Sequence, residues 1–186
     1  KVGEVKYLVY DESDQMFDHG FYDDCVYLKS RVSKDAQIIL ASATMTEKVK
    51  QFIQREIKDY ELLEIGELIP KNIVQEKLYC EMVEKNDILL NLFKRKFKRA
   101  MIFCNTKQKS YNIAKFLQDN KYKAKSLNSD LKQEERTNHL NLFKEGKIKI
   151  LVATDIAARG LHIEQVDMII NYDVPTKSEF YVHRIG

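Results

Sequence analysis

The stretch Val5 to Asp14, V-K-Y-L-V-Y-D-E-S-D, decides how the rest of the chain is read. Tyr7, Leu8, Val9 and Tyr10 form a continuous apolar run, the pattern of a strand buried on both faces of a parallel sheet. The run stops on three carboxylates, Asp11, Glu12 and Asp14. In open α/β sheets ligands bind outside the carboxyl ends of strands, which is where these acids fall. Carboxylates gathered there suit a hydrated Mg2+, which takes one or two of them and completes its shell with water and substrate phosphates. The same acids would also make an acidic turn capping the next helix, and the four letters alone do not separate the two readings.

Working outward, a helix is expected over about 22–32, and a second buried strand over Gln37 to Ala41, ending on Ser42-Ala43-Thr44. Thr46 is a good N-cap for a helix with Val49, Phe52, Ile53 and Ile57 at helical spacing. Residues 60–65 read as another strand. Gly66 and Pro70 then punctuate the chain, and a linker is placed at 65–72 between a first domain, 1–64, and a second, 73–186. The second part alternates strand-like and helix-like segments: strands at 74–79, 100–104, 123–127, 148–153 and 166–171, and helices at 86–97, around Ile113 to Leu117, at 134–144 with Gly146 as its stop, and from Ser178 onward. This alternation argues for an α/β fold with a parallel, doubly wound sheet.

Composition narrows the class. Of 186 residues 44% are hydrophobic, enough for a core, and no stretch approaches the ~20 apolar residues of a membrane span. No signal peptide is recognisable; the chain starts without Met one step before a strand, as expected of a piece of a longer protein. Cys25, Cys80 and Cys104 lie far apart with no C-x-x-C pair, so zinc and a disulfide framework are not expected, and a reducing, intracellular compartment is: cytoplasm, or nucleus in a eukaryote. The net charge of +3 hides an asymmetry. Residues 1–70 carry 9 Lys and Arg against 14 Asp and Glu, a net −5, whereas 71–186 carry 22 against 14, a net +8. A basic second part points toward nucleic acid, with an ordinary solvated surface as the alternative.

The strand-end segments are most informative in their order: Asp11-Glu12-Ser13-Asp14, Ser42-Ala43-Thr44, Ile102 to Thr106, Gln133-x-x-Arg136, Ala153-Thr154-Asp155 through Ala158-Arg159-Gly160, and Tyr181 to Gly186. Their order and spacing resemble the DEAD-box RNA helicases over the whole chain. Met16 to Phe21 and Ala158 to His162 also look like the bacterial RNA-degradosome subgroup. The resemblance implies two RecA-like parallel-sheet domains, the first present as its C-terminal half and the second nearly complete. It implies ATP and Mg2+ as ligands, RNA bound through its backbone without sequence preference, and protein partners in an RNA-processing complex. By the same resemblance Asp11 holds Mg2+ through water and Glu12 orients or deprotonates the attacking water. Asp14, Ser42 and Thr44 link nucleotide state to domain closure, with Ser42 and Thr44 hydrogen-bonding toward Asp14. Thr106, Lys107, Arg136, Thr154 and Gly160 are implied RNA contacts, and Arg159, His183 and Arg184 serve coupling between domains.

Several positions depart from the family pattern. Ser13 replaces an Ala, a small change beside intact acids. His162 stands where Asp commonly meets the ATP ribose; imidazole offers one hydrogen bond in place of the carboxylate's acceptor pair. Asn128-Ser129-Asp130 replaces a His-Gly-Asp turn and with it a glycine that permits close approach. No G-x-x-x-x-G-K-[ST] occurs, and the last motif stops at Gly186 before its two further arginines, so these residues alone are expected to be inactive in ATP hydrolysis. Two other readings stand beside the enzyme: an ATPase-deficient RNA-binding or scaffold protein on the helicase fold, and an unrelated α/β phosphoacceptor domain using Asp11.

Overall fold

The computed structural model describes residues 2–65, 72–158, 161, 163 and 165–185. The chain divides into two units, 1–72 and 73–186. In the first, strands β1 (Tyr7–Tyr10) and β2 (Gln37–Leu40) pair in parallel, Tyr7 opposite Gln37 and Tyr10 opposite Leu40. Three helices follow the strand ends: α1 (Ser13–Asp18), α2 (Tyr22–Arg31) and α3 (Glu47–Glu56). Alternation along β1 points Tyr10 inward, where Phe17, Cys25, Val49 and Phe52 close around it. Aromatic edges do much of the packing: Tyr10 and Tyr22 both meet the Phe52 ring near-perpendicularly, with centroids 5.4 and 5.5 Å apart. Thr46 caps α3 as its sequence suggests, its hydroxyl accepting from the Val49 N–H at 3.4 Å.

The expectation of a β1 buried on both faces is corrected. Tyr7 and Val9 are 64% and 55% exposed, because they lie on the face opposite Tyr10, which no described residue of the unit covers. Nor do residues 60–65 and 74–79 form strands. Both segments are extended, but neither joins a ladder among the described residues, and their apolar side chains, Ile65, Val74 and Tyr79 among them, are exposed. An alternating pattern makes a strand only where a neighbour supplies the hydrogen bonds.

The second unit is a four-stranded, all-parallel sheet in the order β4 (Ala124–Leu127), β5 (Ile150–Ala153), β3 (Ala100–Phe103), β6 (Met168–Asn171). The helices are α4 (Lys85–Leu92), α5 (Lys107–Asp119), α6 (Gln133–Lys144), α7 (Asp155–Ala158) and α8 (Ser178–Ile185). Period-two alternation divides β3 between two cores. Ala100 and Ile102 pack with Leu89, Ile113 and Leu117; Met101 and Phe103 pack with Leu127, Phe143 and Ala157. Helices cover both faces of the sheet, the doubly wound arrangement expected from the alternation. Helix α4 ends at Leu92, earlier than its apolar spacing suggests. Two tightening bonds, Lys94 N–H to Asn91 O (3.2 Å) and Arg95 N–H to Leu92 O (3.1 Å), turn the chain out just as the basic run Lys94 to Arg99 begins. Gly146, at φ +71°, follows the last turn of α6.

Phe143 has no exposed surface and fills the core on the α6 side of the sheet. Phe143→Ala is expected to destabilise the second unit by about 3–5 kcal/mol, with little change in the first. Native-state hydrogen exchange, read separately on the amides of β3 and of β1, checks this.

Candidate functional site

Parallel pairing brings the ends of β1 and β2 side by side. The Ala41 N–H donates to Tyr10 O at 2.8 Å, and Ala41 O accepts from both the N–H and the hydroxyl of Ser13, each at 3.0 Å. That grip divides the acidic motif in two. Ser13 and Asp14 turn inward and are buried; Asp11 and Glu12 remain exposed. Glu12 sits in the left-handed region, φ 52°, ψ 44°, a conformation that costs a non-glycine residue about 1 kcal/mol. Its N–H donates to Asp11 Oδ1 at 2.9 Å, which fixes the Asp11 carboxylate. The Glu12 side chain makes no cap bond to α1, so the capping alternative is not how this acid is used.

Asp14 is 3% exposed and accepts on both oxygens. Oδ2 receives the Thr44 hydroxyl at 2.5 Å and the Thr44 N–H at 3.0 Å; Oδ1 receives the Gln15 N–H at 2.9 Å. Ser42 behaves differently from the expectation: its hydroxyl donates to Thr44 O at 2.8 Å and so braces the threonine rather than the aspartate.

In the second unit the strand ends converge again. Leu127 and Phe103 flank Ala153 in register, so the residues that follow them leave one edge together: Asn105 to Lys107, Asn128 to Asp130, and Thr154. Thr106 is the N-cap of α5, its hydroxyl accepting from the Lys109 N–H at 3.2 Å. Lys107 Nζ lies 2.6 Å from Asp130 Oδ1, an exposed pair of the kind worth at most ~1 kcal/mol and open to exchange for another anion. Thr154 is buried, with its N–H donating to Leu127 O at 3.2 Å. Arg136 is half-buried on α6 and has no acidic partner among the described residues. The altered turn holds without a glycine: Ser129 does not take positive φ, and Asn128, buried, donates to the Ser110 hydroxyl at 3.0 Å and accepts from the Asp130 N–H at 3.1 Å.

Arg184 is the largest surprise. The resemblance assigned it to coupling between domains, yet its side chain is buried inside the second unit. The guanidinium forks onto Asp155, Nε to Oδ1 at 2.5 Å and Nη2 to Oδ2 at 2.8 Å. Nη1 donates to Asn171 Oδ1 (2.9 Å) and Asp173 O (2.8 Å), and Nη2 to Asn105 Oδ1 (3.2 Å). His183, beside it, is half-buried. Arg159, Gly160 and His162 lie outside the described residues.

Asp173 was not singled out from sequence, although it lies two residues past the end of β6, where the strand-end rule that points to Asp11 also applies. Its Oδ1 accepts from Lys109 Nζ at 2.8 Å and its Oδ2 from the Asn105 N–H at 2.9 Å, with Lys85 Nζ 3.9 Å away. Burial alone would raise its pKa, but the bonds from Lys109 and Asn105 outweigh it and hold the carboxyl below its ordinary value. The same Asp173 bond raises Lys109. Cys104, fully buried, is pushed up to about 12 chiefly by burial, so it stays a neutral, inert thiol.

Comparison with known proteins identifies the family. The family described as "DEAD/DEAH box helicase" matches residues 1–52, and "Helicase conserved C-terminal domain" matches 84–186, more than half of the chain. The chain is 40% identical to the ATP-dependent RNA helicase RhlB of Shewanella sediminis, over all of this chain and 44% of that protein. It is 36% identical to the ATP-dependent RNA helicase DeaD of Haemophilus influenzae, again over all of this chain and 31% of that one. Among solved structures, Saccharomyces cerevisiae Dbp5 bound to RNA and ADP-BeF3 matches with a TM-score of 0.86 at 31% identity, covering 97% of this chain and 49% of Dbp5. The chain belongs to the DEAD-box RNA helicase family. It spans less than half the length of these curated relatives.

The depressed carboxyl of Asp173 gives a pH signature. Its contribution is present in full above an ordinary Asp pKa of about 3.9 and is lost as pH falls through the lower folded value. Asp173→Asn is expected to cost about 1.5–3 kcal/mol at neutral pH, with the gap to the parent closing only below about pH 4. Urea unfolding at several pH values from neutral to strongly acidic checks this.

Proposed function

We propose that the protein of which these residues form part is an ATP-dependent RNA helicase that couples ATP hydrolysis to RNA binding and local duplex opening. The observation that carries the reading is the division of the Asp11 to Asp14 motif. Two acids are exposed at a strand end while a third is clasped by Thr44, 2.5 Å from its hydroxyl.

The donor set suits magnesium. No three His, Cys, Asp or Glu converge into a metal cage among the described residues, but a hydrated Mg2+ needs only one or two carboxylates. Asp11 Oδ2 and the Glu12 carboxylate accept no hydrogen bond among the described residues and are accessible oxygens, Asp11 being the one to hold the ion through water. When bound, the ion would neutralise the phosphate charge that builds up during transfer. Glu12 orients the attacking water and accepts its proton, held in place by a backbone that the Ser13–Ala41 bonds do not let relax. Asp14, Thr44 and Ser42 form the relay through which the state of that site reaches the rest of the first unit.

In the second unit Thr106, Lys107, Arg136, Thr154 and Gly160 contact RNA phosphates, positioning a strand without reading its bases. Arg184 acts as a positioning residue for Thr106 and Thr154, since its partners Asn105 and Asp155 are their immediate neighbours in sequence. Arg159 and His183 serve coupling, and His162 meets the nucleotide. Partners in an RNA-processing complex and an intracellular location complete the reading. No helix among the described residues is long and apolar enough to cross a membrane.

In the protein made from the complete reading frame, Glu12→Gln should keep ATP binding and lose RNA-stimulated turnover by about 100-fold or more. Turnover at the parent rate would remove Glu12 from the chemistry and favour the scaffold alternative. Arg136→Ala should weaken RNA binding equally for unrelated sequences and lower the salt slope by about one, checked by titrating RNA at several salt concentrations.

A further inference from the structure

The basic excess of the second unit does not lie at the edge where the strand ends converge. The connections that leave the strands, 104–106, 128–132, 154 and 172–177, carry two lysines and two aspartates, a net of zero. Three of the four connections that lead into strands at the opposite edge, 93–99, 120–123 and 145–149, carry nine Lys and Arg against one Glu, and the four residues before β6, 164–167, add the two acids Glu164 and Asp167. The strands between the two edges are four residues long, about 13 Å. The positive charge therefore faces away from the site described above.

The row at this second edge is ordered by the sheet itself. Lys123, Lys149 and Arg99 each immediately precede a strand, and their backbones are joined: the Lys149 N–H donates to Lys123 O at 3.0 Å, and the Ala100 N–H to Lys149 O at 2.8 Å. Neighbouring strands lie about 4.8 Å apart, so these cations are cross-strand neighbours, and like charges so placed repel. Lys96, Lys98, Lys121, Lys123 and Lys149 have no acid within salt-bridge distance among the described residues. Lys147 and Arg95 are paired, with Glu145 at 2.7 Å and Glu76 at 3.0 Å. Asp167 accepts from the backbone N–H groups of Lys98 and Arg99 at 2.8–3.2 Å and also feels the Lys98 charge. At the other edge the pattern is the reverse: Lys107, Lys109 and Arg184 each hold an aspartate.

We infer that this amino-terminal edge of the sheet is a second, sequence-independent RNA-binding surface, which holds the phosphate backbone of RNA outside the strand-end site. The inference rests on the proposed function in taking RNA as the ligand. A phosphate chain relieves the repulsion along the row and releases counterions. The chemistry favours a nucleic acid over the other polyanions. None of the exposed large apolar side chains falls within these three connections, whereas a protein interface needs an apolar anchor and a membrane surface an apolar face.

The test uses single-stranded RNA of about 30 nucleotides and the salt dependence of its affinity. Lys98→Gln, Lys123→Gln and Lys149→Gln together are expected to lower the salt slope by about 2 and the affinity by about 10–30-fold at low salt. Arg136→Ala should lower the slope separately, and the two losses should add. Neutralising Lys34, Lys50 and Lys58 in the first unit should leave the slope unchanged. A triple variant that binds like the parent while Arg136→Ala weakens binding overturns this inference and leaves the proposed function standing. The converse result sustains the second surface and removes Arg136 from the first. An equal effect from the first-unit control reduces the effect to net charge and overturns the inference. So does binding of the parent chain to polyglutamate or phosphatidylserine vesicles but not to RNA.

Discussion

A guanidinium taken out of water must be fully hydrogen-bonded, and the arrangement of the second unit follows from meeting that demand at Arg184. Removing one partner from a buried pair leaves an uncompensated charge and costs about 3–5 kcal/mol, so the geometry around Arg184 is tightly specified. Its partners come from the ends of three strands and the segments after them: Asn105 after β3, Asp155 after β5, Asn171 and Asp173 at and beyond β6. A single side chain on α8 thus fixes where three strand ends stop. Thr106 and Thr154 adjoin two of those partners, so their placement inherits the rigidity of the ion pair. A lysine at 184 would keep the charge but could not fork onto the carboxylate while reaching the other strand ends.

The first unit solves a similar problem with a different group. Asp14 is a buried carboxylate that accepts hydroxyl and amide donors from Thr44 and Gln15. Charge-assisted bonds to a carboxylate are roughly twice as strong as neutral ones, which makes the Thr44 contact a firm tie between the ends of β1 and β2. Glu12 takes its left-handed backbone between that tie and Asp11. The strain is local, and it holds one exposed carboxylate against the next without immobilising either in the core.

Much of this was legible in the sequence, and the reasons differ from element to element. The two central strands of the second unit, β3 and β5, were readable because both faces of each are covered, which forces continuous apolar runs such as Ile150 to Ala153. Segments 60–65 and 74–79 have comparable apolar content, but pairing is decided by neighbours in space, which a local pattern does not record. The acids of β1 were found because the strand-end rule singles them out. The inward turn of Asp14 and the brace by Ser42 depend on rotamers set by α1 and β2 together, and motif letters do not carry that. Arg184 was assigned by its place in a motif. Its burial follows from the side α8 presents to the sheet, which the motif does not specify.

The distribution of charge in the second unit carries the same lesson from composition to geometry. A net of +8 over residues 71–186 says that a polyanion is welcome, but not where. At the carboxyl edge three cations are matched: Lys107 with Asp130, Lys109 with Asp173, Arg184 with Asp155. Such matching keeps the local field small, so an arriving phosphate must exchange with an aspartate, and binding there is set by geometry. At the amino edge Lys123 and Lys149 stand side by side without such partners, so the field is large and falls off only over the Debye length of about 8–10 Å in ordinary salt. A parallel sheet makes this division easy to maintain. All strands enter at one edge and leave at the other, so charge added to the entering connections never crowds the residues that position the site.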